Sequence, residues 1–549
     1  MKTALSLTKP KNRPFFMVVF IFSLVAVIKA DYCPNVKNDP AIDAFFHRIS
    51  TRKHIPLPSS FFAQPMTVCE ELGFLDKVDS LEKTGALSST EALDARDLRK
   101  QLSSEYGLFS WKSKTQDSHV DARLALVDTN VASAGHKSAF FTRGTISPSL
   151  YANLGDLSFY GNLDVWTDYR SDTMYMQSTY EPYDGIPYNL YGRVDSGQVR
   201  SSDLPRGGVN YSRGPVRIEA SIDRLKDGPA IQSPLTFSGA APPETYVRGQ
   251  AAFGLMTYVQ AFGLLESEID KPKYFYMHRL DVPLLSSRLN VGITEVIIAG
   301  SSTNEPDTRP DSANALRPEY VGQTRDWQIP YMIPFVPYLA VEHLVGGVRD
   351  NKNISLDFNL TLPDNFRWYL EWFIDDLTAP WTMFSSDWGN KFAGTFGCQY
   401  FGSAFDRDLT ASIEYSRVEP WTYTHFYGGA ERYDNYNVPL GAPLGPDSDL
   451  LSVLVESRAF KKTTLGLSFT NARTDPTARG GSIRNVFQAT GSANPDSPVK
   501  VFLGPGTQTQ TRLGMSCKTD QFGFFRVNLK YDYDFSGTSL YQLYGGFYF

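Results

Sequence analysis

The sequence predicts a transmembrane β-barrel of about 18 antiparallel strands that follows a small helical region. Two observations lead to this prediction. Apolar and polar residues alternate along the carboxyl-terminal segments, as in strands whose two faces meet different media. Beyond residue 30, no apolar run reaches the roughly 20 residues that a membrane-spanning helix requires. Any crossing of a membrane would therefore be made by strands.

The amino terminus resembles an export signal. Lys11 and Arg13 precede an apolar run from Phe15 to Ile28, and the small residue Ala30 follows it. A basic stretch, a short apolar run and a small residue are the three parts of a secretory signal peptide. We therefore predict a signal peptide at residues 1–30, with an uncleaved anchor as the alternative.

Residues 31–106 carry helix signals. Thr67 stands three residues before Glu70, and Ser88 stands three residues before Glu91. This spacing is typical of a capping box, in which a hydroxyl and a carboxylate bind the free amides at the start of a helix. We expect a bundle of three short helices that forms a cap or plug at the periplasmic mouth of the barrel. A packed accessory domain without chemistry is the simpler interpretation.

The four cysteines are few for a disulfide scaffold. In an oxidising periplasm, Cys33 and Cys69 could join the ends of the helical region. Sequence does not supply the geometry that a bridge requires, so both the bridge and the free thiols stay open as alternatives.

Residues 107–549 are expected to form the barrel. Alternation is clear near the carboxyl terminus, where the apolar residues Phe525, Val527 and Leu529 alternate with the polar residues Arg526 and Asn528. One face of such a strand suits lipid and the other suits water. A soluble sandwich would show a similar alternation, but closure into a barrel also removes the exposed edge of an apolar last strand. At roughly 10 residues per strand, this length accommodates about 16 to 20 strands, and the bacterial preference for even numbers favours 18.

Composition and motifs argue against several functional classes. The net charge is -6, and without a basic stripe this excludes nucleic acid as a partner. The sequence contains no metalloprotease motif, nucleophile elbow or zinc-binding cysteine pair. Adjacent carboxylates on one strand point to opposite faces and therefore cannot flank one glycosidic bond. We predict no enzyme activity, no catalytic residue, no metal and no cofactor.

Several motifs follow one another through the middle of the chain. They are LTFSGAAPPETYVRG at 235–249, HRL at 278–280, TEVII at 294–298, MIPFVPYLAVEHLVGGVRDN at 332–351, YLEWFIDDL at 369–377, DWGNKF at 387–392, YSRVEPWTYTH at 415–425 and LGAPLGPDSDLL at 440–451. In these motifs and in their order, the chain resembles the Wzi family of outer-membrane capsule assembly proteins. The resemblance departs at Asp227-Gly228-Pro229, where family members often have Trp-Gly-Pro.

The resemblance implies an 18-stranded barrel in the outer membrane of a Gram-negative bacterium, with a periplasmic helical bundle. It also implies a non-enzymatic, lectin-like protein of capsule assembly that binds capsular or extracellular polysaccharide and retains it at the cell surface. The implied partners are this polysaccharide and outer-membrane lipid, and we expect a monomer. A porin-like or glycan-export conduit is the alternative, and an outer-membrane hydrolase is a third hypothesis.

One cluster combines the residue types that bind sugars. Aromatic rings present apolar plates to the C–H faces of sugars, while carboxylates and amides bind the hydroxyl groups. The cluster contains Tyr338, Glu342, His343, Arg349, Asp350 and Asn351. The alternative is that these charges pair with one another across the lumen, because unpaired buried charges are costly.

A second set of candidate residues for polysaccharide binding follows downstream. Asp375 and Asp376 end an apolar strand, Trp388 and Asn390 follow, and His425 lies further along. Only one of the two adjacent carboxylates can point inward. For the carboxylates the alternative is a strand-end hydrogen bond or an arginine partner, and for the histidine it is a structural role.

Overall fold

A computed structural model describes most of the chain. The described residues are 33–37, 39–103, 107–113, 118–135, 138–171, 194–195, 199–266, 272–301, 326–345, 350–404, 407–425, 431–436, 438–487 and 496–549. The predicted signal peptide at 1–30 lies outside them, and so does Arg349.

Eighteen antiparallel strands of the described residues form one closed barrel, which confirms the predicted fold class. They are β1 (Ser118–Gly135), β2 (Ala139–Leu154), β3 (Leu157–Arg170), β4 (Val199–Arg213), β5 (Val216–Asp223), β6 (Glu244–Phe253), β7 (Met256–Leu265), β8 (Lys273–Leu284), β9 (Leu289–Gly300), β10 (Asn351–Thr361), β11 (Phe366–Asp376), β12 (Lys391–Ala404), β13 (Arg407–Val418), β14 (Ser448–Phe460), β15 (Thr463–Thr474), β16 (Gln508–Thr519), β17 (Phe525–Asp534) and β18 (Thr538–Tyr548). Leu543 of β18 pairs with Asn130 of β1, and this pairing closes the barrel.

The connections distinguish two ends of the barrel. At one end the turns are short, as between Leu154 of β2 and Leu157 of β3. At the other end the connections are long, as between Gly300 of β9 and Asn351 of β10. We name these the short-turn end and the long-loop end. In outer-membrane barrels, short turns face the periplasm and long loops face the cell exterior.

The two faces of the wall differ as the alternation predicts. Leu513, Leu529 and Leu543 point outward and are 50%, 48% and 43% exposed. Arg512 and Asp532, on the inward face of the same strands, are buried. Apolar side chains therefore face the surroundings, and polar side chains fill the interior.

None of the described helices is long and apolar enough to span a bilayer.

Three helices precede the barrel, α1 (Pro40–Lys53), α2 (Val68–Lys83) and α3 (Ser89–Leu102). The expected capping boxes are present, since Thr67 and Glu70 cap α2 while Ser88 and Glu91 cap α3. Each box satisfies amides that a helix start leaves free. A fourth helix, α4 (Tyr338–Val345), lies in the connection before β10.

The bundle of α1, α2 and α3 fills the short-turn end of the barrel. Arg217 of β5 lies 3.4 Å from Glu70, and Arg458 of β14 donates to Asp94. Phe522, from the turn between β16 and β17, belongs to the apolar core of the bundle. These contacts reach separate parts of the wall, so the bundle is held around its circumference.

A disulfide joins Cys33 and Cys69, whose Cα atoms are 5.0 Å apart. The amide of Cys33 also donates to the hydroxyl of Ser158 on β3 at 2.9 Å. The bridge therefore connects the chain before α1 to the start of α2 beside the barrel wall. The sequence had left this pairing open.

Residues 224–243, between β5 and β6, turn into the lumen, and we name them the inner segment. Gly228 has a φ of 93° and donates its amide to Phe62 O at 2.9 Å. A Cβ at this position would overlap the carboxylate of Glu371, so the close approach requires glycine. Asp227 lies 3.3 Å from Arg279 of β8. The turn that departs from the family motif thus lies inside the barrel.

The inner segment brings a hydrophobic core into the lumen. Its residues Leu235 and Phe237 are buried against Phe275 of β8, Phe373 of β11 and Tyr433 from the connection after β13. Sequence alternation had predicted a polar interior, whereas apolar side chains occupy this part of it. The helical bundle therefore occupies the short-turn end of the lumen, and this core occupies part of the lumen further toward the long-loop end.

Candidate functional site

Four loop segments at the long-loop end pack against one another. They are residues 377–390, 419–425, 475–487 and 496–507, and together we name them the loop platform. Trp388 N donates to Pro498 O at 2.9 Å, and Trp421 N donates to Gly480 O at 2.9 Å. Backbone hydrogen bonds between the segments hold their side chains in fixed positions.

Aromatic rings lie at the centre of the loop platform. Trp388 and Phe487 stack with ring centroids 3.8 Å apart and planes at 6°, and Trp421 meets Phe487 edge-on at 5.4 Å. Trp388 and Phe487 are only half-buried, so part of each ring meets solvent. A partly exposed ring with polar neighbours is a surface on which the C–H face of a sugar can pack.

Two arginines lie beside aromatic rings of the loop platform, Arg417 at Phe502 and Arg479 at 5.8 Å from the centroid of Trp421. The guanidinium of Arg417 lies 3.7 Å from the centroid of Phe502 and donates to Glu419 at 2.7 Å. Arg479 pairs with Asp496 at 2.7 Å, and 51% of its side chain is exposed. Each carboxylate orients its arginine, whose remaining N–H groups can donate to hydroxyl or acidic groups of a ligand.

Burial shifts the pKa of Asp447, beneath the loop platform, and of Lys500, within it. Burial raises the pKa of Asp447 to about 6, although the amide of Leu503 opposes the shift. Burial also lowers the pKa of Lys500, while Glu419 at 3.1 Å opposes it. Both groups hold loops together, since Asp447 accepts the Leu503 amide at 2.8 Å.

Trp388 and Asn390 both lie in the loop platform, as expected for a loop-end site, but their roles differ. Trp388 presents its ring as described. Asn390 is fully buried and accepts the amide of Thr378 at 3.1 Å, and its side chain donates to Ser385. Asn390 therefore shapes the loop and has no surface to offer a ligand.

Asp375 and Asp376 point to opposite sides, as strand geometry requires. Asp375 is buried and accepts the amide of Tyr423 at 2.6 Å. Asp376 is about half exposed and lies 3.4 Å from Lys391. The alternative of strand-end hydrogen bonds and basic partners describes both carboxylates.

Asp350, Asn351 and His425 lie at the long-loop end but bind other parts of the chain. Asp350 accepts the hydroxyl of Tyr331 at 2.8 Å. Asn351 donates to the carbonyl of Glu431, whose carboxylate lies 3.2 Å from His425. All three are occupied by contacts within the protein.

Tyr338 lies on the outer side of the wall. Its side chain is fully buried, and its ring lies 4.2 Å from that of His278. Tyr331 connects it to Asp350, because the ring of Tyr331 is 5.6 Å from that of Tyr338 and its hydroxyl donates to Asp350. Glu342 and His343 belong to α4, but the placement of their side chains is outside the described part of the structure, as is the whole of Arg349.

A cavity with a mixed lining lies in the lumen between α1 and the inner segment. This cavity has a volume of about 860 Å³ and is lined in part by Arg143 and Trp166. Arg143 pairs with Asp168, but its Nη1 and the Nε1 of Trp166 have no hydrogen-bond partner among the described residues. Groups of this kind are usually satisfied by water or a polar solute.

Sequence reasoning missed Arg479, Phe487 and Phe502 of the loop platform and Arg417 at its edge. Arg417 lies near the end of β13, and the other three lie in irregular segments without periodicity. Aromatic residues in an otherwise polar external loop are the one signal that marks Phe487. Among the described residues, no group of three or more His, Cys, Asp or Glu side chains could hold a metal ion.

No protein-family model matches the chain, and no curated protein matches it by sequence.

Solved structures give a match in fold. The chain is similar to Wzi of Escherichia coli, described as an outer membrane protein involved in group 1 capsule assembly and as a carbohydrate-binding β-barrel. The TM-score is 0.54 at 14% identity, over 94% of this chain and 99% of that chain. OccK8 (OprE) and OprD of Pseudomonas aeruginosa are 9% and 10% identical, with TM-scores of 0.43 and 0.40, over 78% of this chain and 98% and 94% of theirs. The likeness to Wzi establishes the fold.

Proposed function

We propose that the chain is a Wzi-like, non-enzymatic barrel of the outer membrane that binds capsular or extracellular polysaccharide and retains it at the cell surface. The loop platform supports this function, because it presents ring faces and guanidinium groups together at the long-loop end. In this proposal that end faces the exterior, the helical bundle faces the periplasm, and the protein acts as a monomer surrounded by outer-membrane lipid.

The obstruction of the lumen is the observation that carries the proposal. Glu371 of β11 accepts the amides of Ala230 and Leu235, which fixes the inner segment across the interior. The helical bundle occupies the short-turn end, and the cavity of about 860 Å³ lies between the two. A conduit needs a continuous polar path, whereas a surface-binding protein does not. The bundle and the inner segment therefore favour binding over conduction.

Binding of purified capsular polysaccharide to the detergent-solubilised protein tests the loop platform. We expect Trp388→Ala and Arg417→Ala each to weaken binding at least tenfold, which corresponds to about 1.4 kcal/mol. Trp368→Ala is the matched control, because Trp368 lies on the outward face of β11. Unchanged affinity in both platform variants would remove this site from the proposal.

Planar-bilayer recording separates binding from the conduit alternative. We expect the wild-type protein to stay closed at moderate voltage. Sustained ion conductance would favour a porin-like or export role.

Incubation of concentrated protein with the polymer tests the hydrolase hypothesis, and the appearance of shortened chains would contradict the non-enzymatic assignment.

Gene deletion tests retention in the cell. In an encapsulated host, we expect deletion to leave polymer synthesis intact while polymer is shed into the medium. Re-expression of the wild-type chain should restore the cell-bound fraction, and the Trp388→Ala variant should restore less of it. An unchanged cell-bound fraction after deletion would contradict a role in retention.

A further inference from the structure

Residues 326–341 lie against the outside of the barrel, and we name them the outer segment. The ring of Trp327 is 4.4 Å from that of Tyr274, at the long-loop end of β8. The ring of Phe335 stacks on Tyr258 at 4.1 Å, near the short-turn end of β7. The outer segment therefore runs down most of the height of the wall.

The register of β8 shows which side of the wall is covered. Phe275 and Met277 belong to the luminal core. Tyr276 alternates with them, so it points away from the lumen. Tyr276 is nevertheless fully buried, because Tyr331 of the outer segment lies over it with ring centroids 5.2 Å apart.

The covered part of the wall contains a contact between a histidine and a carboxylate. His278 of β8 lies 2.7 Å from Glu295 of β9, and the two face each other across the strand pair on the outward side. Ionisable groups exposed to hydrocarbon are costly. Glu295 also accepts the amide of Tyr338 at 2.9 Å, so the outer segment both shields this pair and is fastened by it.

Side chains of the wall satisfy the backbone of the outer segment. The hydroxyl of Tyr276 accepts the amide of Gln328 at 2.8 Å, and the hydroxyl of Tyr258 accepts the amide of Phe335 at 2.9 Å. The amide side chain of Gln260 donates to Tyr331 O at 3.2 Å. All three wall side chains thus lie at outward-facing positions that would otherwise meet lipid.

Proline reduces the number of amides that need a partner. Pro330, Pro334 and Pro337 have no N–H group. The carbonyl of Pro337 accepts the amides of Ala340 and Val341 at 3.0 and 3.2 Å. Irregular backbone is tolerated at membrane depth only where its polar groups are satisfied. The prolines and the hydrogen bonds described above reduce the number of unsatisfied backbone groups in the outer segment.

The remaining face of the outer segment is apolar. Ile329, Ile333, Phe335 and Leu339 are 63%, 50%, 62% and 47% exposed. On the bare wall beside them, outward-facing apolar residues such as Leu264 are exposed to a similar extent. The apolar face is therefore continuous with the band of the barrel that meets lipid.

We propose that the outer segment is a re-entrant part of the membrane domain, whose exposed apolar side chains contact the acyl chains of the outer membrane. It is not a water-exposed loop, and it extends the barrel wall with a second layer over β7, β8 and β9. This inference stands apart from sugar binding, since it depends only on the outward side of the wall.

Site-directed spin labelling in lipid nanodiscs tests the proposal. The background carries Cys398→Ala and Cys517→Ala, which leaves the disulfide as the remaining cysteine pair. A nitroxide is placed at Ile333→Cys or Leu339→Cys. Leu264→Cys on the bare wall is the lipid control, and Lys461→Cys in an exposed turn is the water control. Dissolved oxygen reports lipid exposure, and a water-soluble nickel chelate reports aqueous exposure.

We expect the labels at positions 333 and 339 to match the oxygen accessibility at 264 within twofold. Their accessibility to the nickel chelate should be at least fivefold below that at 461. Labels that resemble position 461 would overturn the proposal. Labels shielded from both reagents would also overturn it, because a protein, including a second copy of this chain, would then cover the segment. Phe335→Cys carries the same expectation and guards against a local disturbance by one label.

Discussion

The inner and outer segments are both irregular stretches that fold back onto the barrel wall, but they lie on opposite sides of it. On the inside, a carboxylate supplies the acceptors, since Glu371 accepts the amides of Ala230 and Leu235 at 2.7 and 2.8 Å. On the outside, tyrosine hydroxyls such as that of Tyr258 accept the backbone amides. The backbone is anchored by the wall in both cases, with different side-chain chemistry.

This difference between carboxyl and hydroxyl acceptors indicates that the surrounding medium selects the anchoring groups. Inside, the carboxyl group of Glu371 is tolerated because its two oxygens accept the amides of Ala230 and Leu235. Outside, neutral hydroxyls avoid the cost of placing charge near hydrocarbon, and the carboxylate of Glu295 lies 2.7 Å from His278. Satisfaction of backbone groups is the common requirement.

Removal of Glu371, which we name the inner anchor because it accepts amides of the inner segment, should have the largest effect on stability. Glu371→Ala removes a carboxyl group that accepts two hydrogen bonds and leaves two buried amides without an acceptor, so the free energy of unfolding should fall by about 3–5 kcal/mol. Urea titration of the protein folded into lipid vesicles measures it. Glu456→Ala is the control, because this luminal carboxylate contacts Lys518 and no part of the inner segment. Equal losses in the two variants would contradict the role given to the inner anchor.

A charge on the lipid side of the outer segment should have the next largest effect. Ile333→Arg should lower the free energy of unfolding by about 2–4 kcal/mol, as for arginine placed among lipid-facing residues of a barrel. Val501→Arg, at a similarly exposed position of the loop platform, should change it little. The same vesicle titration compares them, and a neutral Ile333→Arg would mean that position 333 meets water.

Removal of an outer anchor should have a smaller effect. Tyr258→Phe leaves the amide of Phe335 without its acceptor and should cost about 1–2 kcal/mol. Tyr533→Phe, on the outward wall of β17, serves as the matched substitution and should cost less. In the labelled protein, Tyr258→Phe should also broaden the mobility of the nitroxide at 333, and an unchanged spectrum would argue against anchoring.

Loss of a donor to a carbonyl should have the smallest effect. Gln260→Leu keeps the volume of the side chain but removes the hydrogen bond to Tyr331 O. A carbonyl tolerates an unmade hydrogen bond better than an N–H group does, so we expect about 0.5–1 kcal/mol. A cost above that of Tyr258→Phe would reverse this ranking of donors and acceptors.

Regular parts of the fold were accessible from sequence. Alternation in β17 predicted which side chains face outward, and the spacing of Thr67 and Glu70 predicted the start of α2. Both signals are local, because strand and helix periods place neighbouring side chains without help from distant residues. The strand number followed from chain length and the short turns of a barrel.

The candidate site was predictable only in part. Trp388 was identified, but its stacking partner Phe487 comes from a loop almost a hundred residues away, and no local pattern relates the two. Tyr338 and Asp350 are close in sequence and share residue types with sugar sites, yet Tyr338 lies outside the wall. Residue type and proximity along the chain do not report which side of a barrel an irregular segment will occupy.

Local patterns in the chain account for the alternation that divides outward-facing from inward-facing side chains and for the helices that precede the barrel. Long-range packing places residues 224–243 in the lumen and residues 326–341 outside it, and it brings distant loops together in one platform. Local patterns do not predict these positions, because irregular segments lack a period of their own. Their position depends on which wall residues can satisfy their backbone and cover their apolar side chains, and barrel closure brings those residues together.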